Sequence, residues 1–239
     1  DVAVHQARQC RLVLVDELVH LRALRRHDLL FRSDGPDGVA LQQDRSALDR
    51  RPSETVDHPG RLRRQDVGID GGVFRATEGL AQRFGSGRVR DTPLSELLIA
   101  GMAVGAAVEG LRPVAEIQFM GFLYPTIDQL ANHASRLRTR TRGRLTVPMV
   151  LRAPYGGGIH APEHHSESAE SMLAHIPGLR GVIPSSPARA YGLLLSAIRD
   201  PDPVVFLEPK RLYRLSRELV DDDGQGLPLD RCIVEREGA

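Results

Sequence analysis

From Asp66 onward, short apolar runs alternate with amphipathic stretches, and this rhythm constrains the fold more than any other feature of the chain. "VFRATEGLAQRFG" (73–85) reads as a short helix stopped by Gly85, since glycine takes the left-handed conformation that ends a helix. "RVRDT" (88–92) reads as a strand running into Pro93, and "PLSELLIAGMAVGAAVEG" (93–110) as a helix ended by Gly110. "RPVAEIQF" (112–119) predicts a strand and "YPTIDQLANHASRLRT" (124–139) a helix. "TVPMVLRAP" (146–154) predicts a buried strand followed by a histidine-rich loop. "LRGVIPSS" (179–186) predicts a strand, "PARAYGLLLSAIRD" (187–200) a helix and "DPVVFLEP" (202–209) a last strand. Strand and helix alternating at this spacing mean an α/β fold, a parallel sheet covered on both faces, with ligands beyond the carboxyl ends of the strands.

The loop leaving the strand at 146–154 is "GGGIHAPEHHSES" (156–168), with three glycines, three histidines and two glutamates. As a metal site, His160 and His164 would need a helix to share a face, yet Gly156, Gly157, Gly158 and Pro162 argue for a loop. As a phosphate cradle, it lacks the Lys and Ser/Thr of a Walker motif. A glycine-hinged loop carrying a histidine to a reaction centre, or a surface loop with solvated histidines, are the other readings, and spacing does not choose among them.

Glu96 is the second candidate. Thr92 followed by Pro93 suits an N-cap and a first helical position, and a capping box would then place its acid at 95, which is Ser. Glu96 falls one residue late but still benefits from the helix dipole. It is either a solvated first-turn acid or, because the helix is apolar nearly all round, a buried acid that needs a partner. Gly101, Ala103, Gly105, Ala106 and Ala107 give the same helix a smooth face for close packing, inside the sandwich or across a subunit interface.

Composition removes several classes. A formal net charge of +1 gives no push towards nucleic acid or membrane, and the longest apolar run, Leu97 to Val108, is too short to span a bilayer. The basic run "RLRTRTRGR" (136–144) lacks interleaved aromatics and reads as a solvated helix end. Two cysteines, Cys10 and Cys232, make no disulfide framework, which points to an intracellular setting. Lys210 is the single lysine against 31 arginines, a bias expected of a GC-rich coding sequence.

The segments "DVGIDGGVFRATEGLAQRFGSGRVRDTPLSE", "GLRPVAEIQF", "YPTIDQLANHASRLRTRTRG", "PYGGGIHAPEHHSES", "AHIPGL" and "AIRDPDPVVFLEPKRLYR" together resemble the β subunit of the E1 component of 2-oxo acid dehydrogenase complexes, of the branched-chain and pyruvate types. The resemblance covers residues 66–214. It implies a transketolase-like pyrimidine-binding domain, a three-layer parallel-sheet sandwich, that takes thiamine diphosphate. By the same resemblance, Glu96 hydrogen-bonds the aminopyrimidine ring of that cofactor, favouring the tautomer that removes the thiazolium proton. Leu94, Gln118 and Phe122 line the pyrimidine, and His165 serves proton donation or hydrogen bonding during acyl transfer. Glu96 and His165 are thus the catalytic candidates. Val147, Met149, Val150, Ala197, Asp200 and Asp202 match positions that hold a structural potassium ion.

The diphosphate-binding Gly-Asp-Gly signature is missing from this sequence, and the resemblance implies that it lies, with the magnesium ligands, on an E1 α subunit. The implied partners are that α subunit and a second β chain in an α2β2 assembly, with a lipoyl-bearing E2. The implied substrate is a small 2-oxo acid, branched-chain in preference to pyruvate from the look of "GGIHAPEHHSES", in a bacterial cytoplasm. Glu163 stands where the family has a histidine, and Glu167 where glutamine is commoner. Residues 1–65 do not match the family; apart from some helical periodicity in 12–31 they read as a poorly ordered segment, with a frameshifted or wrongly started reading frame behind their irregular composition. Residues 215–239 read as a linker and the start of a further C-terminal domain, so the chain is expected to be a truncated β subunit that is inactive alone.

Overall fold

The computed structural model describes residues 64–65, 67–68, 71–158, 160, 163–215 and 217–231. The expectation for residues 1–65 therefore lies outside the described residues, except for the backbone of β1 (Arg64–Gln65). This strand pairs antiparallel with β2 (Thr92–Pro93), Gln65 opposite Thr92. The main sheet has four parallel strands: β3 (Val114–Glu116), β4 (Val150–Tyr155), β5 (Arg180–Val182) and β6 (Val204–Pro209), in the spatial order β3-β4-β6-β5.

Side-chain alternation along β4 and β6 sorts the core into two layers. Leu151, Ala153, Val205 and Leu207 face one cluster with Ile99, Ala103, Ile117 and Leu130. Val150, Val204 and Phe206 face the other, with Val182, Ala197 and Ile198. Both faces of β4 and β6 are buried, which is why their sequences read as continuous apolar runs with no alternation. Each fully buried large side chain, such as Phe206 or Leu151, contributes about 1.5–3 kcal/mol.

The helices are α1 (Leu80–Phe84), α2 (Glu96–Val108), α3 (Leu137–Arg140), α4 (Glu170–Ala174) and α5 (Pro187–Arg199). The helix α5 matches its expectation closely. The Ser186 side chain accepts from the Arg189 N–H, and Pro187 fills the first turn where its missing donor costs nothing. The end of α2 was equally legible: Gly110 at φ +94° closes a Schellman motif, Leu111 N–H donating to Ala106 and Gly110 N–H to Ala107, both at 3.0 Å.

Four expectations change. Residues 88–91 are not a strand, and only Thr92–Pro93 pair. Because those two residues are held extended against β1, α2 starts later: Ser95, not Thr92, is its N-cap, and Pro93 stays outside the helix. The helix expected over 73–85 is reduced to α1, preceded by Gly79 at φ +83°. The long helix over 124–139 is broken into a 3-10 turn (Tyr124–Thr126), a π-helical stretch (Gln129–Ala134) and α3. There Ser135 N–H reaches back to Leu130 at 3.0 Å, and the Ala131 carbonyl accepts from Ser135 Oγ and Arg136 Nε, each at 2.9 Å. The helix α4 had no counterpart in the sequence reading.

Candidate functional site

The carboxyl edge of the sheet gathers the chemistry. The connection from α2 to β3 is short, so the two run antiparallel, and Glu96 at the start of α2 lies towards the edge where β3 ends. Beyond β3 the chain makes a 3-10 turn (Met120–Phe122), and beyond β4 the histidine loop makes another (Glu163–Ser166). These two turns pack together. The His165 ring stands edge-on to Phe119, centroids 4.5 Å apart, and edge-on to Phe122 at 5.5 Å. Phe119 and Phe122 are themselves T-shaped at 6.0 Å. His164 meets only the Phe122 ring, at 6.3 Å, and its side chain is exposed.

The loop is tied down at its base by Gly156 N–H donating to the Glu167 carbonyl at 2.8 Å, and Tyr124 Oη donates to the Glu167 carboxylate at 3.0 Å. His160 and Glu163 both hold positive φ, 54° and 52°, a conformation non-glycine residues seldom adopt and one shared here by Arg75 and Arg142. His160 and His164 share no helix, and among the described residues no group of three or more His, Cys, Asp or Glu side chains could hold a metal. The metal reading of this loop has no support there.

Of the residues singled out from the sequence, Phe122 and His165 are brought into contact, and Gln118 directly precedes the Phe119 that joins them. Glu96 is half-buried, the first residue of α2, at the positive end of the helix dipole. Leu94 is 42% exposed. The helix α2 is not buried all round as expected: it covers Ile99, Ala100, Ala103 and Ala107, while Leu97, Leu98 and Met102 lie open. A Cβ on Gly105 would meet nothing within 4 Å, so the smooth face of small residues is partly open too.

Other groups engage several of the positions matched to potassium. Val147, Met149, Val150 and Ala197 are buried. Arg112 Nη1 donates to the carbonyls of Ile198 (2.7 Å) and Asp200 (3.0 Å), Arg180 to the Asp200 carboxylate (2.5 Å), and Arg138 to Asp202 (2.6 Å). The Asp200 carbonyl and the Asp200 and Asp202 carboxylates thus already have guanidinium partners among the described residues.

Two features escaped the sequence reading. The first is a buried ionic row on the face of the sheet opposite Leu151. Arg152 lies between Glu116 on β3 and Glu208 on β6, and Tyr213 Oη donates to Glu208. Burial works against the Arg152 charge, but the carboxylates of Glu208 and Glu116 outweigh it and hold the group protonated. Burial, then Glu208, pushes the Tyr213 phenol well up. The second is Lys210, 2% exposed, whose Nζ has no hydrogen-bond acceptor among the described residues and lies 5.8 Å from the Phe119 ring centroid. Burial lowers its pKa to about 8. The sequence did flag this residue as the single lysine, but not as a buried one.

A parallel sheet whose carboxyl edge carries an aromatic wall, a histidine turn and an acid at a helix start is an α/β layer of the class that takes ligands beyond the carboxyl ends of its strands. The chain belongs to the transketolase pyrimidine-binding domain family, whose model matches residues 55–216. It is 54% identical over 174 residues to the pyruvate dehydrogenase E1 component subunit beta of Acholeplasma laidlawii, covering 73% of this chain and 53% of that protein. The subunits of the same name from Bacillus subtilis (52% over 174 residues) and Mycoplasma genitalium (51% over 175 residues) share 73% of this chain and 54% of their own length. The chain thus spans about half the length of these curated relatives. Among the described residues no helix is long and apolar enough to cross a membrane.

Proposed function

We propose that this chain forms the pyrimidine-side half of a thiamine diphosphate site in the β subunit of a 2-oxo acid dehydrogenase E1, working with an α subunit that holds magnesium and the diphosphate. The observation that carries the reading is the seating of His165 against Phe119 and Phe122 at the sheet edge where α2 starts with Glu96. When bound, thiamine diphosphate supplies an electron sink for loss of carbon dioxide from a 2-oxo acid. The Glu96 carboxylate, at the start of α2, accepts a hydrogen bond from the aminopyrimidine ring. Phe122 offers the flat surface a pyrimidine needs, and Leu94 and Gln118 complete its lining in this reading. His165, stiffened by two ring edges, donates or takes a proton during acyl transfer to the lipoyl-lysine of E2.

The substrate this reading favours is pyruvate. The branched-chain preference rested on the histidine loop alone, and the relatives similar across that loop are pyruvate dehydrogenase subunits. No step is assigned to potassium.

Calorimetry of the chain assembled with an α subunit, titrated with thiamine diphosphate and magnesium, tests the reading. Binding heat that vanishes in Glu96→Ala is the expected result. Absence of heat with the unaltered protein overturns the reading. A panel of 2-oxo acids offered to the assembled pair then reads the substrate, with pyruvate turned over faster than branched-chain acids.

A further inference from the structure

We propose that Gly121 is a positioning residue for His165: the lack of a side chain at 121 lets the backbone of the histidine turn lie directly on the Met120–Phe122 turn, and this contact sets where the imidazole stands. Gly121 is buried. A Cβ built there would sit 2.3 Å from the His164 carbonyl oxygen, 2.6 Å from its Cβ and 2.8 Å from its Cα. Two of these three atoms are backbone, so rotating a side chain cannot relieve the clash. The Glu163–Ser166 turn would have to lift by about 1 Å to reach ordinary van der Waals separation.

Such a lift acts on the neighbouring residue. His165 follows the atoms that meet position 121, and its ring is held by edges at 4.5 and 5.5 Å, distances at which a 1 Å displacement changes the contact. The turn has few other ways to absorb the strain, because Glu163 already holds φ 52°. The requirement is local to 121. Within the same loop Gly157 faces open space, where an added methyl group would meet nothing within 4 Å, so an alanine there changes the loop's composition without touching its seat. The functional half of the inference rests on the proposed E1 role; the positional half does not.

The experiment uses the full β chain assembled with α, in four forms: unaltered, Gly121→Ala, Gly157→Ala and His165→Ala, plus the Gly121→Ala/His165→Ala double variant. Acyl transfer to a lipoyl domain is expected to fall about 100-fold in Gly121→Ala, the loss typical of a 1 Å misplacement. Gly157→Ala should stay within about twofold. In the His165→Ala background, Gly121→Ala should cost less than about threefold, since it acts through that imidazole. Near-normal transfer in Gly121→Ala, or a full additional loss in the double variant, overturns the proposal.

Amide hydrogen exchange over 163–166 gives a readout independent of activity: faster in Gly121→Ala, unchanged in Gly157→Ala. If the unaltered complex binds no cofactor, the E1 role fails while the exchange result still decides the positional claim. Should Gly121→Ala not assemble, Gly121→Ala/His164→Gly removes the 2.6 Å contact and frees the backbone to turn its carbonyl away; it is expected to restore assembly, and failure of both variants overturns the seat.

Discussion

Arg152 on β4 and Glu208 on β6 face each other through two parallel bonds, Nε to Oε1 at 2.8 Å and Nη2 to Oε2 at 2.7 Å. The other side of the guanidinium is taken by Glu116 on β3, so one planar cation ties three parallel strands together near their carboxyl ends. Tyr213 closes the far side of Glu208, and a Cβ on Gly72 would come within 2.8 Å of the Glu116 carboxylate. The row is enclosed on every side that carries charge.

Removing the cation leaves two buried carboxylates without their shared counter-charge. Arg152→Met is therefore expected to cost about 3–5 kcal/mol in denaturant unfolding, the range for a broken buried pair. Replacing the whole row, with Met at 152 and Gln at 116 and 208, is expected to recover more than half of that loss. A single-variant cost below about 1 kcal/mol would show that the row is solvated and not buried as described.

Lys210 sets a pH dependence. Its folded pKa, lowered by burial to about 8, lies below the unfolded value of 10.5. Between these two values the unfolded chain binds the extra proton, so stability from this group rises as pH rises from about 8 towards 10.5. Below pH 8 the charged amine is fully penalised. Lys210→Met is expected to raise the melting temperature at pH 7, and the gain should shrink steadily above about pH 8. Tyr213, whose phenol is pushed well up, stays neutral through this window. A gain that does not change with pH would assign the effect to packing alone.

What could be read from the sequence divides along physical lines. The strands β4 and β6 and the helix α5 were legible because apolar runs, Ser186 and Pro187 act locally, over a few residues. The start of α2 was not, because Thr92 and Pro93 are claimed by a pairing with β1 some 27 residues earlier, and only the fold reveals that competition. The π-helical stretch at Gln129–Ala134 has no signature in periodicity. In the site, His165 and Phe122 were found through resemblance to a family. Phe119, which touches both, was read only as the end of a strand, since its role depends on a loop more than forty residues downstream. Arg152 was hidden inside an apolar run, where a lone charge gives no hint that Glu116 and Glu208 lie on either side.

The open face of α2 yields the last prediction. Leu97, Leu98 and Met102 on α2 and Leu94 just before its N-cap are 47%, 42%, 51% and 42% exposed, four large apolar side chains near the start of a helix that also carries the open Gly105. Covering each would contribute up to about 1.5–3 kcal/mol, a gain this chain does not collect by itself. In the proposed assembly the face meets a neighbouring subunit, which also shields the half-buried Glu96 from water. Met102→Glu is then expected to change the stability of the isolated chain by less than about 0.5 kcal/mol, because the side chain already faces solvent. Association with an α subunit, measured by sedimentation, should weaken by at least about 100-fold, since a buried unpaired charge costs several kcal/mol at an interface. Ala100→Glu serves as the contrasting case: it is buried within the chain and should unfold it outright. Unchanged association in Met102→Glu would place the subunit contact elsewhere and leave the exposed apolar stripe without a partner.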